Sequence, residues 1–152
     1  MPDTLSPTAA AVMFLVAFPL FWLLVFWLIA QLGGWASLAE TYASDRSPSG
    51  ETFTWISGKL NFFSSYNNCL TVSVTREGVL LRPMPLFRFG HKQMFFPWDA
   101  IKIMGVRREI FRYGTILEVK TVKGVHPITL YGQKLSDSFA KFGPPRLTEA
   151  PK

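Results

Sequence analysis

The chain has 152 residues, of which 49% are hydrophobic and 17% are charged, and its formal net charge is +6. A single cysteine excludes an internal disulfide and agrees with a reducing compartment. Once the apolar N-terminal run is set aside, residues 51–142 are enough for one small hydrophobic core and exclude a second domain of ordinary size.

The first predicted element is an apolar run from Ala9 to Ala30, which follows a tail of residues 1–8. The run contains no charged side chain, and as a helix it is about 33 Å long, close to the roughly 30 Å of a hydrocarbon core. A soluble domain of this size cannot bury a helix that is apolar on every side. We therefore predict a transmembrane helix over residues 9–32, with membrane lipid as a partner.

A cleaved secretory signal is the alternative interpretation of this run. Residues 1–8 contain no Lys or Arg, and the run is longer than the roughly 7–15 residues of a signal core. Pro19 lies in the middle of the run, which suits a spanning helix with a bend. The small-residue pattern Ser37-Leu38-Ala39 leaves a cleavage site open, but these features favour an uncleaved anchor.

Four aromatic side chains of the run recur at i, i+4 spacing and form one stripe: Phe14, Phe18, Trp22 and Phe26. One interpretation is a surface that faces lipid, and the other is a contact with another membrane protein. The span contains no GxxxG motif, so self-association through small residues is not indicated.

Basic residues predict the orientation of the chain. All sixteen Lys and Arg residues follow the run, beginning at Arg46. This asymmetry favours a single-pass protein of the cell inner membrane with its C-terminal domain in the cytoplasm. Sixteen basic and nine acidic residues after the run give +7, which suits an anionic membrane surface. Nucleic acid is not expected as a partner, because the anchor confines the domain and no pattern of stacking platforms is visible.

A short juxtamembrane helix is predicted next, because Trp35, Leu38, Ala39 and Tyr42 recur at i, i+3, i+4 and i+7. We expect it to lie along the lipid headgroups or against the domain that follows. Ser44–Gly50 is rich in turn-forming residues and has no apolar side chain, which predicts a linker. Residues 33–50 thus form a juxtamembrane helix and linker that precede the β-domain.

Two hairpins are predicted in residues 51–142. Apolar and polar residues alternate over Cys69–Thr75, and Glu77-Gly78 gives a turn before a return strand that starts at Val79. A second hairpin pairs Thr115–Thr121 with Val125–Leu130. The other predicted elements are strands within Phe53–Phe63, Gln93–Trp98 and Ile101–Val106, a short helix at Gln133–Phe142, and a disordered tail over residues 143–152. Six or seven short strands favour a small antiparallel barrel or sandwich.

Several motifs in one order resemble a group of bacterial membrane-anchored proteins without assigned function. The motifs are Gly34-Trp35, Leu38-Ala39, Tyr42, Tyr66–Val72, Glu77–Val79, Leu86–His91, Phe96-Pro97-Trp98 and Ile101. The β-domain also resembles a small pleckstrin-homology (PH) or GRAM-like barrel, in which paired antiparallel strands precede a capping helix. The resemblance implies this fold and brings no catalytic residues with it.

No catalytic or metal-binding motif is recognisable in the sequence. Cys69, His91 and His126 lack metal-ligand spacing, and HExxH, CxxC, GxSxG, P-loop and GxGxxG motifs are all missing. Cys69 opens an alternating strand, where a half-buried structural residue is ordinary. A cysteine nucleophile would need an oriented histidine beside it. We therefore expect a protein that is not an enzyme and takes no cofactor, with a cryptic thiol enzyme as a remote alternative.

The stretch Arg82–Trp98 mixes cations with aromatic residues, and five of them are candidate contact residues: Phe87, Arg88, Phe89, His91 and Lys92. In one interpretation the aromatic residues fill the core while the cations face water. In the other, the loop places aromatic residues in the lipid interface and cations near anionic headgroups. The expected function is a non-catalytic binding or scaffold module at the membrane surface. The alternative is an accessory subunit of a larger membrane protein complex.

Overall fold

The computed structural model describes residues 6–61 and 64–144. Its first element, α1 (Pro7–Leu32), has 26 residues and is therefore about 39 Å long. The Ser6 hydroxyl accepts a hydrogen bond from the Ala9 N–H at 3.3 Å and so caps the helix. The helix continues through Pro19 without interruption. It is long and apolar enough to cross a membrane, as predicted.

Helix α2 (Trp35–Tyr42) begins after a turn at Gly34, whose φ of 82° is unfavourable for residues with a side chain. Trp35 and Leu38 have no exposed surface and belong to the same hydrophobic core as the sheet. Two positions are expected for this helix, along the lipid headgroups or against the domain that follows. The structure shows the second, because α2 packs within the core of the β-domain although the linker at residues 44–50 separates the two in the chain.

Seven strands form one antiparallel sheet. In chain order they are β1 (Glu51–Lys59), β2 (Ser65–Val74), β3 (Gly78–Pro83), β4 (Met94–Pro97), β5 (Ile101–Arg108), β6 (Tyr113–Thr121) and β7 (Gly124–Tyr131). Their order in the sheet is β4-β3-β2-β1-β7-β6-β5. The antiparallel sheet and both predicted hairpins, β2–β3 and β6–β7, are confirmed. The strands β4 and β5 remain edges, so the sheet of the described residues does not close into the predicted barrel.

Strand β1 connects the two halves of this sheet. Its register with β2 shifts on either side of Ile56, which marks β-bulges, and Trp55 has a φ of 58° there. Beyond the bulges, Gly58 and Lys59 pair with β2 on one side and with β7 on the other. Bulges bend and twist a strand, which lets β1 serve both halves of a curved sheet.

Helix α3 (Gln133–Phe142) is the predicted short C-terminal helix. It packs against β2 and β6, and its Leu135 and Phe139 side chains are buried in the core. The rings of Phe139 and Trp98 meet edge to face, with centroids 6.1 Å apart. Of the predicted disordered tail, only residues 143 and 144 lie within the described part of the chain.

The two ends of strand β2 lie beside different helices. At its first end, Ser64 lies so close to Gly33 that a side chain on Gly33 would collide with it. At its other end, Val74 pairs with Glu51, whose carboxylate accepts a hydrogen bond from Ser138 of α3 at 2.6 Å. Ten residues of strand correspond to about 33 Å. The end of β2 that contacts α1 is therefore remote from the contact between Glu51 and Ser138 of α3.

Candidate functional site

The loop between β3 and β4, residues 84–93, lies against the last two turns of α1. The rings of Phe26 and Phe87 meet edge to face, with centroids 5.4 Å apart. Gly90 has a φ of 75°, and a Cβ atom at this position would lie 3.2 Å from the Cα of Trp27 and 3.6 Å from the Cβ of Ala30. Glycine thus permits both the backbone conformation and the close approach. The loop reaches the level at which the apolar run ends.

Three buried rings fix this loop to α2 and β2. Trp35, Tyr66 and His91 contact one another edge to face, with centroids between 5.1 Å and 5.6 Å apart. The Trp35 indole N–H also donates a hydrogen bond to the Lys92 carbonyl at 2.8 Å. The loop is therefore held by side-chain packing and a hydrogen bond in addition to its chain connections.

His91 does not occupy the surface position expected of a cation, because only 4% of it is exposed. Its Nδ1 lies 3.1 Å from the Phe89 carbonyl, which can only accept, so Nδ1 carries the hydrogen. Nε2 of the neutral ring then accepts from the Tyr66 hydroxyl at 3.1 Å. Burial lowers the pKa of His91 and raises the pKa of Tyr66. His91 therefore positions the loop as a neutral residue.

The other predicted loop residues have more open surroundings. Phe87 is half-buried against α1, whereas Arg88 and Lys92 are exposed. Phe89 is 50% exposed, and the neighbouring Leu86 is 78% exposed. Two exposed apolar side chains and two cations thus lie together beside the end of an apolar helix. This combination is typical of segments that lie in a membrane interface.

The aromatic stripe of α1 continues into this loop. Ring centroids are 5.2 Å apart for Phe14 and Phe18, 6.1 Å for Phe18 and Trp22, and 5.8 Å for Trp22 and Phe26. Phe87 extends the series from the β-domain. The first three rings remain largely exposed, so this face of α1 is available to lipid or to another protein.

A groove of about 480 Å³ opens beside the loop, between residues 44–48 and the end of β3. Its basic lining residues are Arg46, Arg82 and Arg88. Asp45 is the single acidic residue that lines it in the described part of the chain. The Gln93 amide holds one wall in place, because it donates to two carbonyl groups of the linker at 3.0 Å and 2.6 Å.

The three arginines of the groove differ in their partners. The Arg46 guanidinium lies 2.6 Å from the Glu77 carboxylate and stacks over the Phe95 ring at 4.2 Å. Arg82 is half-buried and Arg88 is exposed. Neither forms an ion pair with a carboxylate among residues 6–61 and 64–144. The sequence pattern does not indicate Arg46 or Arg82 as site residues. Arg82 is nevertheless the first residue of the stretch Arg82–Trp98, in which cations and aromatic residues are mixed.

A second basic segment, the turn between β5 and β6, differs from the groove because its arginines have partners. Arg108 lies over the Tyr113 ring at 5.5 Å, and Arg112 lies over the Tyr131 ring at 5.8 Å. Arg107 lies 3.8 Å from the Glu109 carboxylate. These cations thus contact aromatic rings or an acid of their own hairpin.

The surroundings of Cys69 favour an unreactive thiol. The side chain is buried in β2, and burial raises the pKa of the thiol. Both nitrogens of the His91 ring are already engaged in hydrogen bonds, one with the Phe89 carbonyl and one with the Tyr66 hydroxyl. In the described part of the chain, no group of three His, Cys, Asp or Glu side chains is placed to hold a metal ion.

Comparison of the chain with known protein families, with curated proteins and with solved structures finds no match.

Proposed function

We propose that this protein is a single-pass, membrane-anchored β-domain that acts as a non-catalytic binding or scaffold module at the cytoplasmic surface of the inner membrane. The contact of the β3–β4 loop with the end of α1 is the observation that supports this proposal most strongly. Seven antiparallel strands followed by a C-terminal helix support a PH-like fold for the domain. No cofactor enters the proposal.

The length of α1 supports a position of the loop at the headgroup layer. A helix of about 39 Å exceeds a hydrocarbon core of roughly 30 Å, so its last turns extend to the level of the headgroups. Phe87 and Gly90 contact these turns. In this arrangement Leu86 and Phe89 enter the interface, and Arg88 and Lys92 lie near anionic lipid.

The docked loop gives the anchor a second role besides localisation. A flexible tether would let the domain rotate freely above the bilayer. Here the buried rings of Trp35, Tyr66 and His91 hold the loop against the rest of the domain. The domain therefore turns one fixed end to the membrane and presents the other end of β2, where Ser138 of α3 contacts Glu51, to other molecules.

Lipid quenching of a fluorescent label tests the surface contact. We would place the label on Phe89→Cys in full-length protein with Cys69→Ser, reconstituted into phosphatidylcholine vesicles. Lipids with a quencher near the headgroup should quench this label. They should not quench a label on Asp137→Cys, an exposed position of α3 at the remote end of the sheet. Equal absence of quenching at both positions would contradict the proposal.

The proposed orientation depends on the distribution of Lys and Arg. Protease added to inverted membrane vesicles should digest the β-domain, and protease added to intact spheroplasts should leave it whole. The opposite pattern would place the domain on the outer side of the membrane.

A second candidate function is an accessory subunit of a larger membrane complex. The exposed rings of Phe14, Phe18 and Trp22 favour it, because a helix of a neighbouring protein would bury them. Purification in mild detergent discriminates between the two functions. A stoichiometric membrane protein that is retained by the wild type and lost from the F14A/F18A/W22A variant supports the subunit. A monomer counts against it.

A further inference from the structure

We infer that the groove between residues 44–48 and the β3–β4 loop binds a phosphate group, and that its source is the headgroup of an anionic phospholipid. The inference rests on the proposed function, because lipid reaches the groove only when the loop lies at the membrane surface. The groove is distinct from the exposed apolar tip of that loop, which contacts the interface without recognising a particular headgroup.

The lining of the groove has the chemistry that phosphate requires. A guanidinium group presents paired N–H donors that match phosphate oxygens. Arg46 is held by Glu77 and Phe95, which fixes its position and offsets its charge. Arg82 and Arg88 have no acid partner in the described part of the chain, so their charges remain available.

Of these two cations, Arg82 supports the phosphate site more strongly. It lies in β3 opposite Thr71, and the hydrogen bonds of the sheet fix its backbone. Its side chain is half-buried, which removes part of its hydration without supplying a carboxylate in exchange. An anion in the groove would replace that lost hydration. Arg88 adds a second cation from the loop that Phe87 docks on α1.

The size and charge of the groove narrow the class of ligand. A volume of about 480 Å³ equals on the order of ten to twenty water molecules, which is enough for a complete phosphodiester headgroup. A headgroup amine would need acidic partners, and Asp45 alone lines the groove in the described residues. The lining therefore favours an anionic headgroup such as phosphatidylglycerol over a zwitterionic one.

Ligand-dependent thermal stability of the full-length protein in neutral detergent tests this inference. A ligand that binds the folded state raises Tm as its concentration increases. We expect dioleoylphosphatidylglycerol to raise Tm at lower concentrations than inorganic phosphate, and dioleoylphosphatidylcholine to have little effect. The R82Q/R88Q variant should need a phosphatidylglycerol concentration higher on the order of tenfold or more to reach the same rise in Tm.

The R108Q/R112Q variant is the matched control, because it removes the same charge from the turn between β5 and β6. It should respond to phosphatidylglycerol like the wild type. Equal loss of response in both double variants would overturn the site, since net charge would then explain the binding. If R82Q/R88Q does not fold, Arg88→Gln takes its place, because that side chain is exposed.

The remaining outcomes distinguish three failures: that of the phosphate site, that of lipid as the source of the phosphate, and that of the proposed function. Inorganic phosphate that acts at the same concentration as phosphatidylglycerol, with both effects lost in R82Q/R88Q, would support the phosphate site and overturn the lipid source. A wild type whose Tm is raised by neither phosphatidylglycerol nor inorganic phosphate would overturn the site. If the label at position 89 is still quenched by lipid, the proposed function survives that failure. Absent quenching contradicts the proposed function itself.

Discussion

The Phe87 ring of the β3–β4 loop meets the Phe26 ring of α1 at an interplanar angle of 88° and a centroid distance of 5.4 Å. The first residue belongs to the β-domain and the second to the apolar run. Their contact makes the end of α1 part of the surface on which the domain packs. Side-chain packing, in addition to the chain connection, therefore sets the position of the domain relative to the helix.

Phe87→Ala should lower the free energy of unfolding by about 1–2 kcal/mol, because it removes an edge-to-face pair and half-buried apolar area. Urea unfolding of the full-length protein in detergent, followed by tryptophan fluorescence, measures this change. Leu86→Ala is the control, since Leu86 is 78% exposed, and its effect should stay below about 0.5 kcal/mol. Equal effects of the two substitutions would show that the contact with Phe26 does not stabilise the fold.

Trp35→Phe keeps an aromatic ring in the core and removes the N–H donor to the Lys92 carbonyl. We expect a loss of about 1–3 kcal/mol in the free energy of unfolding, because that carbonyl loses its partner and the smaller ring leaves space in the core where Trp35 is fully buried. Trp55→Phe makes the same chemical change at a site that is 66% exposed, and should cost less than about 0.5 kcal/mol. A Trp35→Phe protein as stable as the control variant would rule out this role of the hydrogen bond.

Elements with a strong local pattern can be predicted from the sequence. The apolar run defines α1, and the apolar spacing of Gln133–Phe142 defines α3. The β6–β7 hairpin follows from two alternating runs around a short turn, and the structure pairs Thr121 with Gly124 there. In each case, residues close in the chain determine the structure.

The sequence pattern does not determine contacts between residues that are far apart in the chain. The spacing in α2 predicts a helix with one apolar face, but it does not reveal that Trp35 packs on the loop that carries His91. Neighbouring cations suggest an exposed charge for His91, whereas contacts with Trp35 and Tyr66 bury it. The groove likewise exists only because the linker folds back beside β3, which brings Arg46 near Arg82.

Buried His91 should make stability depend on pH. Its pKa in the folded protein is lowered from the ordinary 6.5, mainly by burial, so the unfolded chain binds the proton more readily. The free energy of unfolding should therefore be highest above pH 6.5 and fall as the pH decreases toward the folded-state pKa. Urea unfolding at about pH 7.5 and about pH 5.5 measures the difference.

His91→Gln should reduce this pH dependence, and His126→Gln, which removes the other histidine, should retain it. The Glu51 carboxyl contributes little between about pH 5.5 and about pH 7.5, because its ordinary pKa of 4.5 lies below this range and hydrogen bonds from Ser138 and Lys141 lower its pKa further in the folded protein. An unchanged pH dependence in His91→Gln would assign the effect to another group.

A disulfide between α1 and the loop tests the docking of the β-domain most directly. A Cβ atom at position 90 would lie 3.6 Å from the Cβ of Ala30, within the roughly 3.5–4.5 Å of disulfides. It would also lie 3.2 Å from the Trp27 Cα, so the loop has to shift by a few tenths of an ångström to accept the side chain. Full-length protein with Ala30→Cys, Gly90→Cys and Cys69→Ser should therefore form a disulfide on mild oxidation in membranes. Thiols are counted with maleimide after denaturation, because position 30 is buried in the folded protein, and this variant should show none. Ala30→Cys with Gly124→Cys is the control, because position 124 also has a positive φ but meets nothing within 4 Å. The docked arrangement predicts that this control keeps both thiols, and equal thiol reactivity in the two pairs would contradict it.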